Sequence, residues 1–442
     1  MYPELIKSPI SDGKKYYLKK RPGLANFHTL PGGLAQGMFY WNGNYYYAIA
    51  GELYVNGTPI FTLATSTGEV GFCEYRDDST DELFMCDGIK GYLVHSDNTV
   101  FTITDPNFPS GHIAKPVFFD GYIFLAGTNT QTIHNSKLQD PTTWPSDGFI
   151  DAEMFPDQLV GLAKVQNYIA AVGTTSIEWF YDNANATGSP LQRNAPAVTQ
   201  FGCPAPDTIN QTEKELILVG STANGGRTIW VIDGFQPTEI ANIPVREAID
   251  LEGASLSQAS ANTIQVGGHK FYVLNLLASQ RTFVYDFEEQ MWHEWTSGSG
   301  QNNFGWRYAA DSGNGSPVWL AFSGGPSVQM NPSYYLDTNV PITCTVITTK
   351  IDFDTIKRKR LYRLSLIGDG PNGDNNVPII VSWSDDDYNT FTSGTTLNMN
   401  SSYSTITQLG YTRRRAFKFV YQQSYPLRLE AFEVDIIQEV RR

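Results

Sequence analysis

The sequence contains no run of eighteen or more apolar residues, so no segment is long enough to cross a bilayer as a helix, and no membrane insertion is expected. Its start, Met1-Tyr2-Pro3-Glu4, has neither the basic region nor the apolar core of a signal peptide, so conventional export is not expected. Cysteine is scarce: Cys73, Cys86, Cys203 and Cys344 stand far apart with no CxxC spacing, which argues against a zinc site or a redox motif and favours buried free thiols. The six histidines (His28, His95, His112, His134, His269, His293) form no HxxxH or HxH pair, and no GxSxG, P-loop or helix-opening GxGxxG occurs. With no motif that joins a nucleophile, a base and an orienting group, the chain reads as a non-enzyme with no catalytic, cofactor-binding or metal residues and no cofactor.

What is present points to strands. Aromatic residues make up 13% of the 442 residues against 17% for all charged types, and Gly and Pro are abundant. Turn dipeptides recur at Asn42-Gly43, Asn56-Gly57, Asp87-Gly88, Asp120-Gly121, Asp147-Gly148, Asn224-Gly225, Asp233-Gly234 and Asn314-Gly315, each expected to reverse one strand into the next. Between them lie short apolar runs at 45–49, 83–86, 122–126, 168–172, 215–219, 271–274 and 318–322, several ending in small pairs such as Ala50-Gly51 and Ala126-Gly127. Units of one turn and two or more short strands, repeated every 40 to 50 residues or so, are the signature of propeller blades. One sheet cannot bury both its faces, whereas sheets arranged radially bury each against a neighbour. The expected fold is all-β: a β-propeller over 38–335, of seven blades with six the alternative count, and a C-terminal antiparallel β-sandwich platform over 341–442. Residues 1–37 form an N-terminal segment joining that platform. The one helix candidate spans 244–250.

Charge is distributed unevenly. Residues 1–37 carry a net +4, residues 38–340 carry −20 and residues 341–442 carry +2. An acidic surface repels phosphate, so the middle of the chain is ill suited to gripping nucleic acid. The basic residues cluster at Lys357-Arg358-Lys359-Arg360 and Arg413-Arg414-Arg415, beside strands of the expected sandwich, and at Lys14, Lys15, Lys19, Lys20 and Arg21. These seven residues, Lys357, Arg358, Lys359, Arg360, Arg413, Arg414 and Arg415, are the candidate docking residues, with solvated strand ends as the bland alternative.

Three acidic features invite chemical readings. The stretch 384–391, Ser-Asp-Asp-Asp-Tyr-Asn-Thr-Phe, resembles the Asp-box of sialidases, a turn-forming element with Tyr388 in place of its Gly. Asp385, Asp387 and Asn389 also have the spacing of a calcium loop, but Thr390 and Thr396 stand where its Gly and its distant acid belong, so the chelating set is incomplete. Glu288-Glu289, and Glu213 with Glu215, are carboxylate pairs of the kind a glycosidase uses, which keeps a carbohydrate-binding or glycoside-cleaving tail propeller as the alternative function.

At residues 173–180, Gly-Thr-Thr-Ser-Ile-Glu-Trp-Phe, the sequence resembles the packaged-DNA stabilisation proteins of short-tailed bacteriophages, which also serve as tail nozzle or head-closure components. The resemblance continues through 185–190, Gly202-Cys203-Pro204-Ala205-Pro206, 238–241 and 246–249, and includes Met1-Tyr2-Pro3-Glu4 and Arg21-Pro22-Gly23-Leu24. It is the order of these patches that makes it specific. Family members usually carry a stretch ahead of the Tyr-Pro-Glu segment, so an N-terminal contact is expected to be missing here or supplied elsewhere. The resemblance implies a structural virion protein of the tail, assembled in the host cytoplasm, with no catalytic residues to carry over. It implies a hexameric ring below the portal and adaptor that closes the head, retains packaged DNA and lines the ejection channel, where DNA passes without sequence-specific binding. Its implied partners are copies of itself, the adaptor and portal ring, and tail fibre, spike or needle proteins.

Overall fold

Paired positive-φ residues make the tight reversals that the turn dipeptides promise: Asn42 and Gly43 (φ 47° and 77°) link Ala35–Trp41 to Asn44–Ile49, and Asp120 and Gly121 (47° and 85°) link Val117–Phe119 to Tyr122–Ala126. Asn56 and Gly57 (49° and 92°) do the same between Glu52–Val55 and Thr58–Thr62, while Asp87-Gly88, Asn224-Gly225, Asp233-Gly234 and Asn314-Gly315 lie at strand-to-strand connections in which only the glycine has positive φ. Asp147-Gly148 is the exception: the Gly148 amide donates to Pro145 O within a loop, so the pair closes a local turn ahead of Phe149–Asp151. These observations come from a computed structural model, which describes residues 2–6, 15–76, 81–212, 214–222, 224–300, 302–369, 377–400 and 404–438. Glu213, Lys14 and the loop residues 370–376 lie outside the described residues.

By contacts the chain divides into two units. The larger is Asn26–Tyr285 with Gly305–Gln329, and it holds most strands of the propeller. Four-stranded antiparallel sheets start at Ala35–Trp41 (blade 1), Gly71–Arg76 (blade 2), Val117–Phe119 (blade 3) and Leu159–Val165 (blade 4). In blade 5 two short strands, Phe201–Gly202 and Asn210–Gln211, share the edge of Glu215–Thr222. Ser260–Val266 opens blade 6 and Trp306–Ala310 opens blade 7. The opening strands neighbour one another in cyclic order, and Trp306–Ala310 meets Ala35–Trp41, so seven blades complete the ring. The closure is reinforced by backbone bonds from Phe27 N to Ser327 O, Ser327 N to His28 O, Gly33 N to Ser323 O and Ala35 N to Phe322 O.

The apolar runs are continuous rather than alternating because each blade has two buried faces. Along Asn44–Ile49, Tyr46 and Ala48 pack with Leu83, Met85 and Tyr92 of blade 2, while Tyr45, Tyr47 and Ile49 pack with Val318 and Leu320 of blade 7. Crowding near the axis is relieved by glycines within the opening strands. A Cβ on Gly37 would sit 2.3 Å from Val70 O, and one on Gly71 would sit 2.2 Å from Ala114 O, both in the next blade. The helix forms at Ile243–Leu251, one residue longer at each end than the sequence suggests, with the Asn242 side chain accepting from Val245 N as its N-cap.

The smaller unit combines Met1–Ala25, Asp286–Phe304 and Met330–Arg442. Its two antiparallel sheets form a sandwich. One runs Tyr2–Ile6, Lys15–Lys19, Arg428–Gln438, Lys359–Asp369, Thr405–Thr412, and the other Cys344–Ile347, Ala416–Tyr421, Pro378–Ser384, Thr395–Asn398. Leu361, Leu364 and Ile406 of the first sheet meet Ile379, Val381, Phe417 and Phe419 of the second in the core. All four thiols are free; Cys86, Cys203 and Cys344 are buried and Cys73 is half-buried.

Candidate functional site

Strand alternation sorts the run 357–360. Lys359 points inward with Leu361, while Arg360 and Tyr362 point out. The Lys359 ammonium is fully buried and donates to Thr355 O (2.7 Å) and Arg413 O (2.5 Å), so it is committed to holding two loops. Arg415 is likewise buried: Nε and Nη2 grip both oxygens of Asp385 at 2.8 and 2.7 Å, and Nη1 donates to Leu409 O. Arg414 pairs with Asp387, which Lys350 also reaches at 3.1 Å. Lys357, Arg358, Arg360 and Arg413 remain exposed. Of these, Arg358 lies 4.8 Å from the Tyr411 ring, and Arg360 lies 4.8 Å from Tyr362 and 5.8 Å from Tyr411. Arg360 sits opposite Tyr411 on one neighbouring strand and Ile437 on the other. The result is an exposed sheet face of stacked arginine, tyrosine and isoleucine, the residue mixture in which arginine and tyrosine commonly dominate binding energy. Of the basic residues near the start, Lys20 and Arg21 are buried, and desolvation lowers the Lys20 ammonium to about 8.

The acidic stretch 384–391 is a self-contained turn. Asp386 accepts from Ser384 Oγ (2.7 Å), Thr390 N (2.9 Å) and Thr390 Oγ1, and these bonds, led by Thr390, hold its carboxyl down at about 2. Since Asp385 and Asp387 face internal cations, the calcium-like spacing is used for ion pairs. Among the described residues no group of three or more His, Cys, Asp or Glu side chains could hold a metal ion.

Sequence reasoning passed over a second constellation. At the propeller axis a cavity of about 340 Å³ is lined by the opening strands and by four charged side chains. Glu69 and Lys115 lie just ahead of the opening strands of blades 2 and 3, Asp207 lies in the 3-10 turn Pro206–Thr208 of blade 5, and Arg307 is on the opening strand of blade 7. Lys115 Nζ is 3.5 Å from Glu69 and 3.4 Å from Asp207, and Arg307 Nη2 is 3.4 Å from Glu69 and 2.5 Å from Asp207. Glu69 and Lys115 share a place two residues ahead of their opening strands, but Asp207 and Arg307 do not, so no repeat in the sequence announces the four as a set.

Seven blades closed on one another define the class: a β-propeller protein that also carries a β-sandwich. The family described as Bacteriophage P22 Gp10, beta-propeller, matches residues 1–315, and the chain belongs to it. No curated protein matches. Among solved structures the chain is similar to a streptogramin B lyase, at 14% identity and a TM-score of 0.48 over 70% of this chain and 98% of that one. It is also similar to a catalytically inactive virginiamycin B lyase from Staphylococcus aureus with quinupristin, at 13% identity and a TM-score of 0.45 over 71% and 99%. The extracellular domain of a hybrid two-component system from B. thetaiotaomicron has 10% identity and a TM-score of 0.48 over 86% and 48%.

Proposed function

We propose that the chain is a structural protein of a short-tailed phage virion that forms the hexameric tail nozzle. In this reading six copies close the head below the portal and adaptor ring, retain the packaged DNA and form part of the ejection channel. Family membership over residues 1–315 carries the reading. The charge distribution agrees with it: a segment of net −20 over 38–340 offers DNA no adhesive wall, so the genome can slide out once released. The exposed Arg358, Arg360, Tyr362 and Tyr411 face of the sandwich is the surface that docks on the adaptor, with Lys357 and Arg413 as further exposed cations. Lys359, Arg414 and Arg415 support that face from within or beside it.

The test is a four-fold charge reversal, Lys357→Glu, Arg358→Glu, Arg360→Glu and Arg413→Glu, which leaves buried Lys359 intact. The isolated chain should fold and melt as before, while DNA-filled heads fail to take it up and lose their genome. Particles that assemble and hold DNA normally with this variant would remove the docking assignment. Mass measurement that finds only monomers, even with the adaptor ring present, would remove the hexamer. The reading also assigns the chain no chemical turnover. Sialosides, capsular polysaccharide and peptidoglycan incubated with the purified chain should stay intact, and turnover abolished by a single carboxylate substitution would count against it.

A further inference from the structure

The sandwich treats its basic residues in two ways. Arg363 pairs with Asp435 at 2.9 Å, Arg414 and Lys350 share Asp387, Arg415 grips Asp385, and Arg428 lies 3.8 Å from Asp369. Lys357, Arg358, Arg360 and Arg413 have no carboxylate partner among the described residues. Arg358 and Arg360 are nevertheless held in place, because both guanidinium groups gather at the Tyr411 ring, 4.8 and 5.8 Å from its centroid, and Arg360 also lies over Tyr362. Neither guanidinium donates a hydrogen bond to the described residues, so two planar forks of N–H donors are oriented by aromatic contact and left to an outside acceptor.

We infer that this corner of the sheet receives an acidic segment of a partner protein, whose carboxylates take the forks of Arg358 and Arg360 and whose apolar side chains cover Ile437 and Tyr362. The inference rests on the reading that this face docks on the adaptor, and it states what the adaptor presents there. A carboxylate matches a guanidinium fork with two parallel bonds. Ile437, directly opposite Arg360, is 55% exposed, and Tyr362 is 47% exposed. Covering them adds apolar burial that a phosphate backbone does not supply.

The neighbouring charges separate a protein partner from DNA. Phe432, Val434 and Ile436 pack on the sandwich core, so Glu433, Asp435 and Ile437 face outward along one strand. Asp435 and Glu433 thus follow Ile437 at steps of about 7 Å. DNA, with a charge about every 1.7 Å of its axis, spreads its negative charge past the cations and onto these two acids. A short acidic segment places its few carboxylates at Arg358 and Arg360 alone.

The experiment titrates the full chain with three labelled probes in about 0.15 M salt. They are a glutamate-rich peptide interspersed with leucine, the same peptide with glutamine for glutamate, and a DNA duplex carrying as many charges as the first. The acidic peptide should bind more tightly than either of the others. Arg358→Ala with Arg360→Ala should weaken that binding by about tenfold or more. Arg358→Lys with Arg360→Lys should not restore it, since lysine keeps the charge and loses the planar fork. An acidic peptide that does not bind, a duplex that binds as tightly, or peptide binding unchanged by the alanine pair overturns the inference. Self-association of the chain that the alanine pair abolishes overturns it too, by making a second copy the occupant. The docking reading fails separately: if charge-reversed chains cannot join heads yet the acidic peptide does not bind the parent, docking stands and the acidic partner falls.

Discussion

Replacing Arg21 with alanine is expected to destabilise the sandwich unit by about 3–5 kcal/mol, because it strands a buried carboxylate. Arg21 is 2% exposed and its partner Asp337 is 4% exposed. Nη1 donates to Asp337 Oδ1 at 3.0 Å and Nη2 to Oδ2, and further bonds run to Thr296 O at 2.8 Å and Pro22 O at 2.9 Å. Ser297 Oγ also donates to Asp337 at 2.9 Å, and the guanidinium lies 5.0 Å from the Phe304 ring. One side chain thus joins the three separate stretches from which the unit is made, 1–25, 286–304 and 330–442. A lone truncation removes the fork and leaves Asp337 without its counter-charge. Removing both charges, as in Arg21→Met with Asp337→Leu, should recover much of the loss, since the cost lies in the uncompensated charge. Urea unfolding of the three chains separates these cases. A single variant within about 1 kcal/mol of the parent would show that the pair is not the pin described here.

Trp179→Ala is the second large effect, expected at about 3–5 kcal/mol from the cavity it opens. Trp179 is 1% exposed on strand Ile177–Asp182 of blade 4, and its ring meets the edge of Phe235 of blade 5 at 5.3 Å. Its neighbour Phe180 points the other way, into the cluster that holds Val117, Phe119 and Phe124 of blade 3. Adjacent aromatics therefore fasten blade 4 to both of its neighbours. The expected outcome is a lower melting temperature with loss of cooperativity or aggregation on expression, and an unchanged melting curve would remove Trp179 from the blade contact.

Local chemistry made the ring legible. Asn-Gly and Asp-Gly pairs need positive φ, and apolar runs on consecutive residues need two buried faces; those two requirements together specify hairpins stacked between hairpins. The sandwich was legible for a similar reason, since Leu361, Leu364 and Leu366 sit among exposed Arg360, Tyr362 and Arg363 along one strand. The fate of individual charges was less accessible. Lys359 and Arg358 are neighbours in one basic run, yet one is buried and the other exposed, and that difference depends on strand register and on where Arg413 O and Thr355 O fall. The axial cluster was hidden for another reason: its members are 69, 115, 207 and 307, and only the closing of the ring brings them together.

The pairing of Lys15–Lys19 with Arg428–Gln438 bears on how the protein is made. A ribosome delivers the first of these strands hundreds of residues before its partner, and the backbone bonds that close the propeller likewise join residues near 30 to residues near 325. Long-range contacts of this kind form late and slowly, because the chain between them must be ordered first. A product cut short by premature termination before 428 would lack the strand that joins Lys15–Lys19 to Lys359–Asp369, leaving an unpaired edge beside Arg360. Completeness of synthesis is thus written into the fold: the sheet of the smaller unit closes only when the last strand of the chain arrives.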